Sequence, residues 1–139
     1  MGDFSGLQAL FAGARHGNEG ARADRMQLEE RVVQDVVIVK ITGEITLKKR
    51  GDAMLHDAVR SLIGRGHKKV LLDLAAVSYV DSAGLGELVQ AHSITRNGGG
   101  SLRLFNPTKR LHDLLVVTDL VKLFQNYDDE AQALASFVQ

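Results

Sequence analysis

The 139-residue chain contains no cysteine, no tryptophan and only one proline. Without cysteine it has neither a disulfide framework nor a thiolate metal site. Its 17 basic and 17 acidic residues balance to a formal net charge of +0. Binding of nucleic acid or of an anionic membrane requires a basic surface. We therefore expect no nucleic-acid partner.

Long apolar runs are also missing from the sequence. No segment approaches the roughly 20 apolar residues that a transmembrane helix needs. The mildly apolar stretch 7–14 follows Asp3, where a secretory signal would carry positive charge. These absences predict a cytoplasmic protein without direct membrane insertion. The length predicts a single domain with a sizeable core.

Residues 1–25 differ in composition from the rest of the chain. Five glycines punctuate a segment of alanine and scattered charge. Such a composition has little apolar surface to offset the entropy lost on ordering. We predict a flexible N-terminal extension over 1–25 and a folded domain over 26–139. The alternative is a short amphipathic helix through Leu7, Leu10 and Phe11 that docks on a partner or a second copy.

From residue 26 onward, strand-like and helix-like patterns alternate. Segments 28–33 and 36–41 are rich in β-branched residues and flank two polar residues, which predicts an antiparallel hairpin. Segment 42–46 is predicted to be a loop. Further strands are predicted near 70–74, 102–105 and 122–125. Apolar residues at helical spacing predict helices from about 55 and 82, a third starting at Asn106-Pro107, and a fourth capped by Asp128. The alternation predicts an α/β fold with a mixed, mostly parallel β-sheet, about four α-helices and a β-hairpin at the start.

The most informative stretch is 70–88, which reads VLLDLAAVSYVDSAGLGEL. Its nearly continuous apolar start predicts a strand buried on both faces, followed by a short connection. Asp81 or Ser82 then supplies the N-cap of a helix whose apolar stripe begins at Leu85. Unpaired N–H groups at a helix start favour a negative charge, including a phosphate. Ser82 is therefore the principal candidate for a functional residue.

Other chemistries fit this stretch less well. A hydrolase nucleophile elbow requires G-x-S-x-G, but Val80 occupies the place of the first glycine. A dinucleotide fingerprint requires G-x-G-x-x-G, and Val89 replaces the third glycine after Gly84 and Gly86. The five histidines show no metal-ligand spacing. Weak nucleotide binding stays open, as does the simple alternative that Ser82 is only a helix cap.

The strand V-L-L-D-L-x-x-V-x-Y-V followed by D-S-A-G-L-G-x-L resembles the STAS domain of anti-sigma factor antagonists, over roughly residues 26–138. The resemblance implies that the unphosphorylated chain binds an anti-sigma factor with serine kinase activity and so releases a sigma factor. It implies that the kinase phosphorylates Ser82 and that a phosphatase reverses this modification. ATP and Mg²⁺ would belong to the partner. We expect this chain not to be an enzyme and to need no cofactor or metal of its own.

Loops at one end of a mostly parallel sheet gather into one surface. The 42–49 loop and the start of the Ser82 helix both follow predicted strands, so we predict that they lie side by side and form the partner-binding site. Charge changes at Glu44 or Glu87 should then weaken binding and leave melting nearly unchanged. Thr46 departs from the family pattern, in which many antagonists carry aspartate at this place. The residues expected in the face are Gly43, Glu44, Thr46, Asp81, Ser82, Ala83, Gly84, Leu85, Gly86 and Glu87.

We expect the chain to be a monomer or a weak homodimer. Two other functions stay open at this stage. The domain could be a STAS subunit of a membrane transporter complex, or a scaffold protein of a stress-sensing complex. In either case the serine need not be modified.

Overall fold

The computed structural model describes residues 26–46 and 55–138. Residues 1–25, for which we predict an extension, lie outside this part of the chain. The described elements, in chain order, are β1 (Gln27–Val33), β2 (Val36–Ile45), α1 (Leu55–Gly64), β3 (Lys69–Val80), α2 (Ser82–Asn97), β4 (Ser101–Phe105), α3 (Lys109–Val117), a 3₁₀ turn (Leu120–Lys122), β5 (Asn126–Tyr127) and α4 (Glu130–Ser136).

The five strands form one sheet in the order β1-β2-β3-β4-β5. β1 is antiparallel to β2, and each of the other neighbouring pairs is parallel. The hairpin turn lies at Gln34, whose φ of 58° is left-handed. The predicted mixed, mostly parallel α/β fold with four helices and a hairpin at the start is confirmed.

Helices cover both faces of the sheet. α1, α2 and α3 pack on one face, over a core that includes the fully buried Leu72 and Leu88. α4 covers the other face, where Ile38, Leu71 and Phe137 belong to a smaller buried cluster. Burial on both faces explains why the central strands read as nearly continuous apolar runs. No helix in the described ranges is both long enough and apolar enough to cross a membrane.

β2 and β3 extend further than the sequence predicts. The loop predicted over 42–46 is wrong, because β2 continues to Ile45, which is paired with Val80 of β3. Two register shifts interrupt the β2–β3 pairing, one on either side of the Thr42–Gly43 pair. Gly43 has a φ of 96°, a backbone conformation that glycine adopts without steric cost. This glycine therefore marks an irregularity inside a strand, and not a turn after one.

The boundaries after β4 also differ from the prediction. Thr108, and not Asn106, caps α3. Asp129, and not Asp128, caps α4. The strand predicted over 122–125 is wrong, because that segment contains the end of the 3₁₀ turn and the connection to β5. β5 follows it and is only two residues long.

Candidate functional site

Ser82 is the first residue of α2 and lies where β2 and β3 end. The Asp81 backbone N–H donates a hydrogen bond to the Ile45 carbonyl oxygen at 3.3 Å. This bond joins the last residue of β2 to the start of α2. The structure thus brings the described part of the predicted 42–49 loop, residues 42–46, beside the start of the Ser82 helix. The following residues, 47–54, lie outside the described part of the chain.

Asp81 is the N-cap of α2. Its Oδ1 accepts a hydrogen bond from the Gly84 N–H at 2.7 Å, and its carbonyl accepts one from the Leu85 N–H at 2.9 Å. The Ser82 side chain is exposed, and its hydroxyl has no hydrogen-bond partner among the described residues. Asp81, and not Ser82, therefore caps α2.

Gly84 allows α2 to approach β2 very closely. A Cβ atom added at this position would lie 1.8 Å from the Ile45 carbonyl oxygen and 3.0 Å from a Val80 methyl group. Gly86 is different, because an added Cβ there would meet no atom within 4 Å. Gly84 therefore serves packing, and Gly86 leaves the surface beside Ser82 uncrowded.

The residues predicted to form the partner-binding face differ widely in exposure. Ser82, Ala83 and Gly86 are exposed, and they form the outward surface at the start of α2. Glu44 and Thr46 are half-buried beside them at the end of β2. Gly43, Gly84 and Leu85 are buried, so these three can shape the face without forming its surface.

Tyr79 is a residue of this region that sequence reasoning missed. Its side chain is 44% exposed, and it pairs in register with Glu44 across β2 and β3. Strict alternation along β3 would place Tyr79 on the same side as the buried Val77. No sequence pattern therefore indicated that Tyr79 is exposed. No group of three or more potential metal ligands occurs among the described residues.

Glu87 lies beneath the surface and not on it. The residue is only 7% exposed. Its carboxylate accepts the His56 backbone N–H at 3.1 Å and lies 2.8 Å from His56 Nδ1. It thereby satisfies a backbone donor in the first turn of α1, where helical N–H groups have no intrahelical partner. This carboxylate links α1 to α2, so we now expect a charge change at Glu87 to alter melting, contrary to the prediction from the sequence.

We expect Glu87→Ala to lower the free energy of unfolding by about 1–3 kcal/mol, because it leaves the part-buried His56 backbone N–H without its acceptor. Urea denaturation of the full chain measures the change. Gln90→Ala is the matched control, since Gln90 is an exposed residue of the same helix. Equal stability of the two variants would contradict a structural role for the Glu87 carboxylate.

The geometry can now be compared with known proteins. The STAS domain family model matches residues 27–133. The anti-sigma F factor antagonist of Paenibacillus polymyxa is 26% identical over 109 residues, which cover 78% of this chain and 92% of that protein. A Thermotoga neapolitana protein, named as a homologue of an anti-sigma factor antagonist, is 28% identical over 104 residues, which cover 75% of this chain and 91% of that protein. The solved structure of an anti-sigma factor antagonist from Mycobacterium paratuberculosis has a TM-score of 0.67 at 21% identity, covering 84% of this chain and 97% of that one. With its mixed sheet and the Asp81-Ser82 start of α2, the chain belongs to the STAS domain family.

Proposed function

We propose that this chain is an anti-sigma factor antagonist. Its unphosphorylated form binds an anti-sigma factor with serine kinase activity and thereby releases a sigma factor. The observation that carries the proposal is the exposure of Ser82 at the start of α2. Asp81 supplies the cap of this helix, so the Ser82 side chain is not used as the cap. The two relatives named as antagonists or their homologues support the same assignment.

In this proposal the partner docks on the exposed start of α2. Ser82, Ala83 and Gly86 offer little side-chain bulk, so a partner backbone can approach this part of the helix closely. Glu44 and Thr46 extend the surface along the end of β2. A phosphate on Ser82 would stand in the middle of this small-residue surface. Its charge and its volume would both oppose docking.

The chain itself acts by binding and carries out no reaction. The kinase partner supplies ATP and Mg²⁺, and a phosphatase removes the phosphate from Ser82. This cycle takes place in the cytoplasm, where the sigma factor acts. The chain takes part as a monomer or a weak homodimer, because the proposed face lies on a single copy of the domain.

Phosphorylation with the cognate kinase tests the proposal. The full chain is incubated with the anti-sigma factor kinase from the same genome, ATP and Mg²⁺, and is then analysed by intact mass and peptide mapping. We expect one phosphoryl group on the wild-type chain, located at Ser82, and none on Ser82→Ala. Ser78→Ala is the control, because Ser78 is the nearest exposed serine on β3 and its loss should leave modification intact. An unmodified Ser82 would argue for the transporter or scaffold alternative.

A further inference from the structure

A concave site lies at the opposite end of α2 from Ser82. It is a cleft of about 430 Å³, a volume within the range of small-molecule sites. Arg96 follows Ser82 by fourteen positions in one helix. At about 1.5 Å per residue, the cleft is therefore roughly 20 Å from the serine. The lining residues on which the argument depends are His92, Arg96, Lys122 and Gln125.

The cleft exists because β5 is short. β5 pairs only with Leu104 and Phe105, so the edge of β4 at 101–103 has no neighbouring strand on that side. The Leu104 N–H donates to the Gln125 carbonyl oxygen at 3.0 Å. Backbone groups of alternate residues in a strand face the same side, so the Leu102 N–H points to the open edge. The wall of the cleft thus carries a backbone donor and, from the same residue, a backbone acceptor.

The residues around the cleft include arginine and lysine, and none of them is acidic. Arg96 makes no ion pair with any described residue. Arg103 borders the cleft, but its guanidinium packs 4.4 Å from the centre of the Phe137 ring, on the face of the sheet that α4 covers, and its Nε donates to Gln125 Oε1 at 2.9 Å. Lys122 lies 3.3 Å from Asp119, but an ion pair this exposed is weak and leaves the ammonium available.

The positive charge near the cleft affects the pKa of His92. Burial lowers the pKa of His92, and the positive charge of Arg96 lowers it further. The imidazole packs edge to face against Phe124, with the ring centres 5.4 Å apart. The ring therefore has a fixed place at the cleft and can report on charge that enters it. An anion bound beside Arg96 would reverse this effect and raise the pKa of His92.

We infer that this cleft binds a compact anion with at least two negative charges, of the phosphate-ester or pyrophosphate class. Arginine presents a planar fork of donors that matches phosphate oxygens, and lysine adds a point charge. A single carboxylate would compensate only one of the two cations Arg96 and Lys122. The cleft is separate from the Ser82 face, so the inference does not rest on the proposed function.

Isothermal titration calorimetry of the full chain tests the inference, with pyrophosphate, glycerol 3-phosphate and citrate as probes. We expect saturable one-to-one binding of pyrophosphate or glycerol 3-phosphate. Arg96→Gln or Lys122→Gln should weaken it by roughly tenfold or more, since each removes a charged donor. Arg60→Gln is the control, because Arg60 is an exposed arginine of α1 whose loss changes the net charge equally.

NMR titration of the histidine signals gives a second readout. Pyrophosphate should raise the pKa of His92, with the signal assigned by comparison with His92→Gln. Absence of saturable phosphate binding, or binding of citrate alone, would overturn the inference. So would equal weakening by Arg60→Gln, which indicates diffuse attraction, or an unchanged His92 signal at saturation, which places the anion elsewhere.

Discussion

Gly84→Ala should lower the free energy of unfolding by about 2–3 kcal/mol, although alanine is the better helix former. Gly-to-Ala exchange inside a helix ordinarily stabilises by about 0.8–1 kcal/mol. Here the added methyl would lie 1.8 Å from the Ile45 carbonyl oxygen. That oxygen is a backbone atom of a paired strand, so it cannot rotate away as a side chain could. The clash can be relieved only if α2 moves away from β2. Overpacking of this kind typically costs about 1–3 kcal/mol, occasionally more.

Movement of α2 would also disturb the two hydrogen bonds that hold its first turn. The Asp81 carboxylate would lose alignment with the Gly84 N–H, and the Asp81 N–H would separate from Ile45. Loss of an N-cap interaction alone costs typically ~1 kcal/mol. The sum exceeds the gain in helix propensity, so the net change is destabilising.

Gly86→Ala provides the matched control for this experiment. It makes the same substitution two residues further along the same helix, where the new methyl meets no atom within 4 Å. We expect it to stabilise the domain by up to about 1 kcal/mol through helix propensity. Urea denaturation of both variants should therefore give changes of opposite sign. Equal changes in the two variants would show that α2 does not approach β2 as closely as described.

The sequence predicts the regular elements well because their faces are uniform. Leu55, Val59 and Leu62 follow helical spacing, and all three are buried in α1. The β-branched residues around the hairpin identify its strands because they favour a pleated, half-buried surface. These patterns depend only on which face of an element is buried, and the spacing of apolar residues within that element shows which face this is.

The sequence does not predict the irregular parts of the sheet. Gly43 interrupts the strand pattern, and a glycine in a turn cannot be told from one in a bulge without knowledge of the neighbouring strand. Only pairing with β3 shows that β2 continues through this residue. β5 is also hard to predict from the sequence. It forms just two ladder pairs with β4, and so short a strand shows no alternation of apolar and polar residues.

The candidate site is likewise only partly predictable from the sequence. Sequence predicts the place of Ser82, because a buried strand followed by a cap and an apolar stripe fixes the start of a helix. It does not distinguish Asp81 from Ser82 as the cap, since both side chains serve well at this position. Nor does it predict the burial of Glu87, whose partner His56 lies 31 residues away in sequence. Contacts of that kind depend on how two helices pack.

Ser82→Asp should weaken binding of the anti-sigma factor partner by roughly a hundredfold, whereas Ser82→Ala should bind like the unmodified chain. A phosphate at Ser82 would add roughly −1.5 to −2 charges. Within the isolated domain its effects nearly cancel: the start of α2 favours an anion by about 0.3–1 kcal/mol, and the neighbouring Asp81 carboxylate repels it. An exposed substitution of this type usually changes stability by no more than about 0.5 kcal/mol.

The balance changes when the partner covers Ser82. An unpaired charge at a docked interface loses its water, and like charges placed opposite each other cost several kcal/mol. Each ~1.4 kcal/mol corresponds to a tenfold change in the dissociation constant. The aspartate carries less charge than a phosphate, so the phosphorylated chain should bind more weakly still. The modification should therefore act on binding and leave folding almost unchanged.

Calorimetric titration with the purified partner measures the dissociation constants, and urea denaturation of the same samples measures stability. Ser93→Asp is the matched control, because Ser93 is an exposed serine of the same helix, about 16 Å further along its axis. It adds the same charge outside the proposed face and should bind like the wild type. Undiminished binding by Ser82→Asp would contradict the switch. Equal losses for Ser82→Asp and Ser93→Asp would instead indicate long-range repulsion by net charge, with no docking surface centred on Ser82.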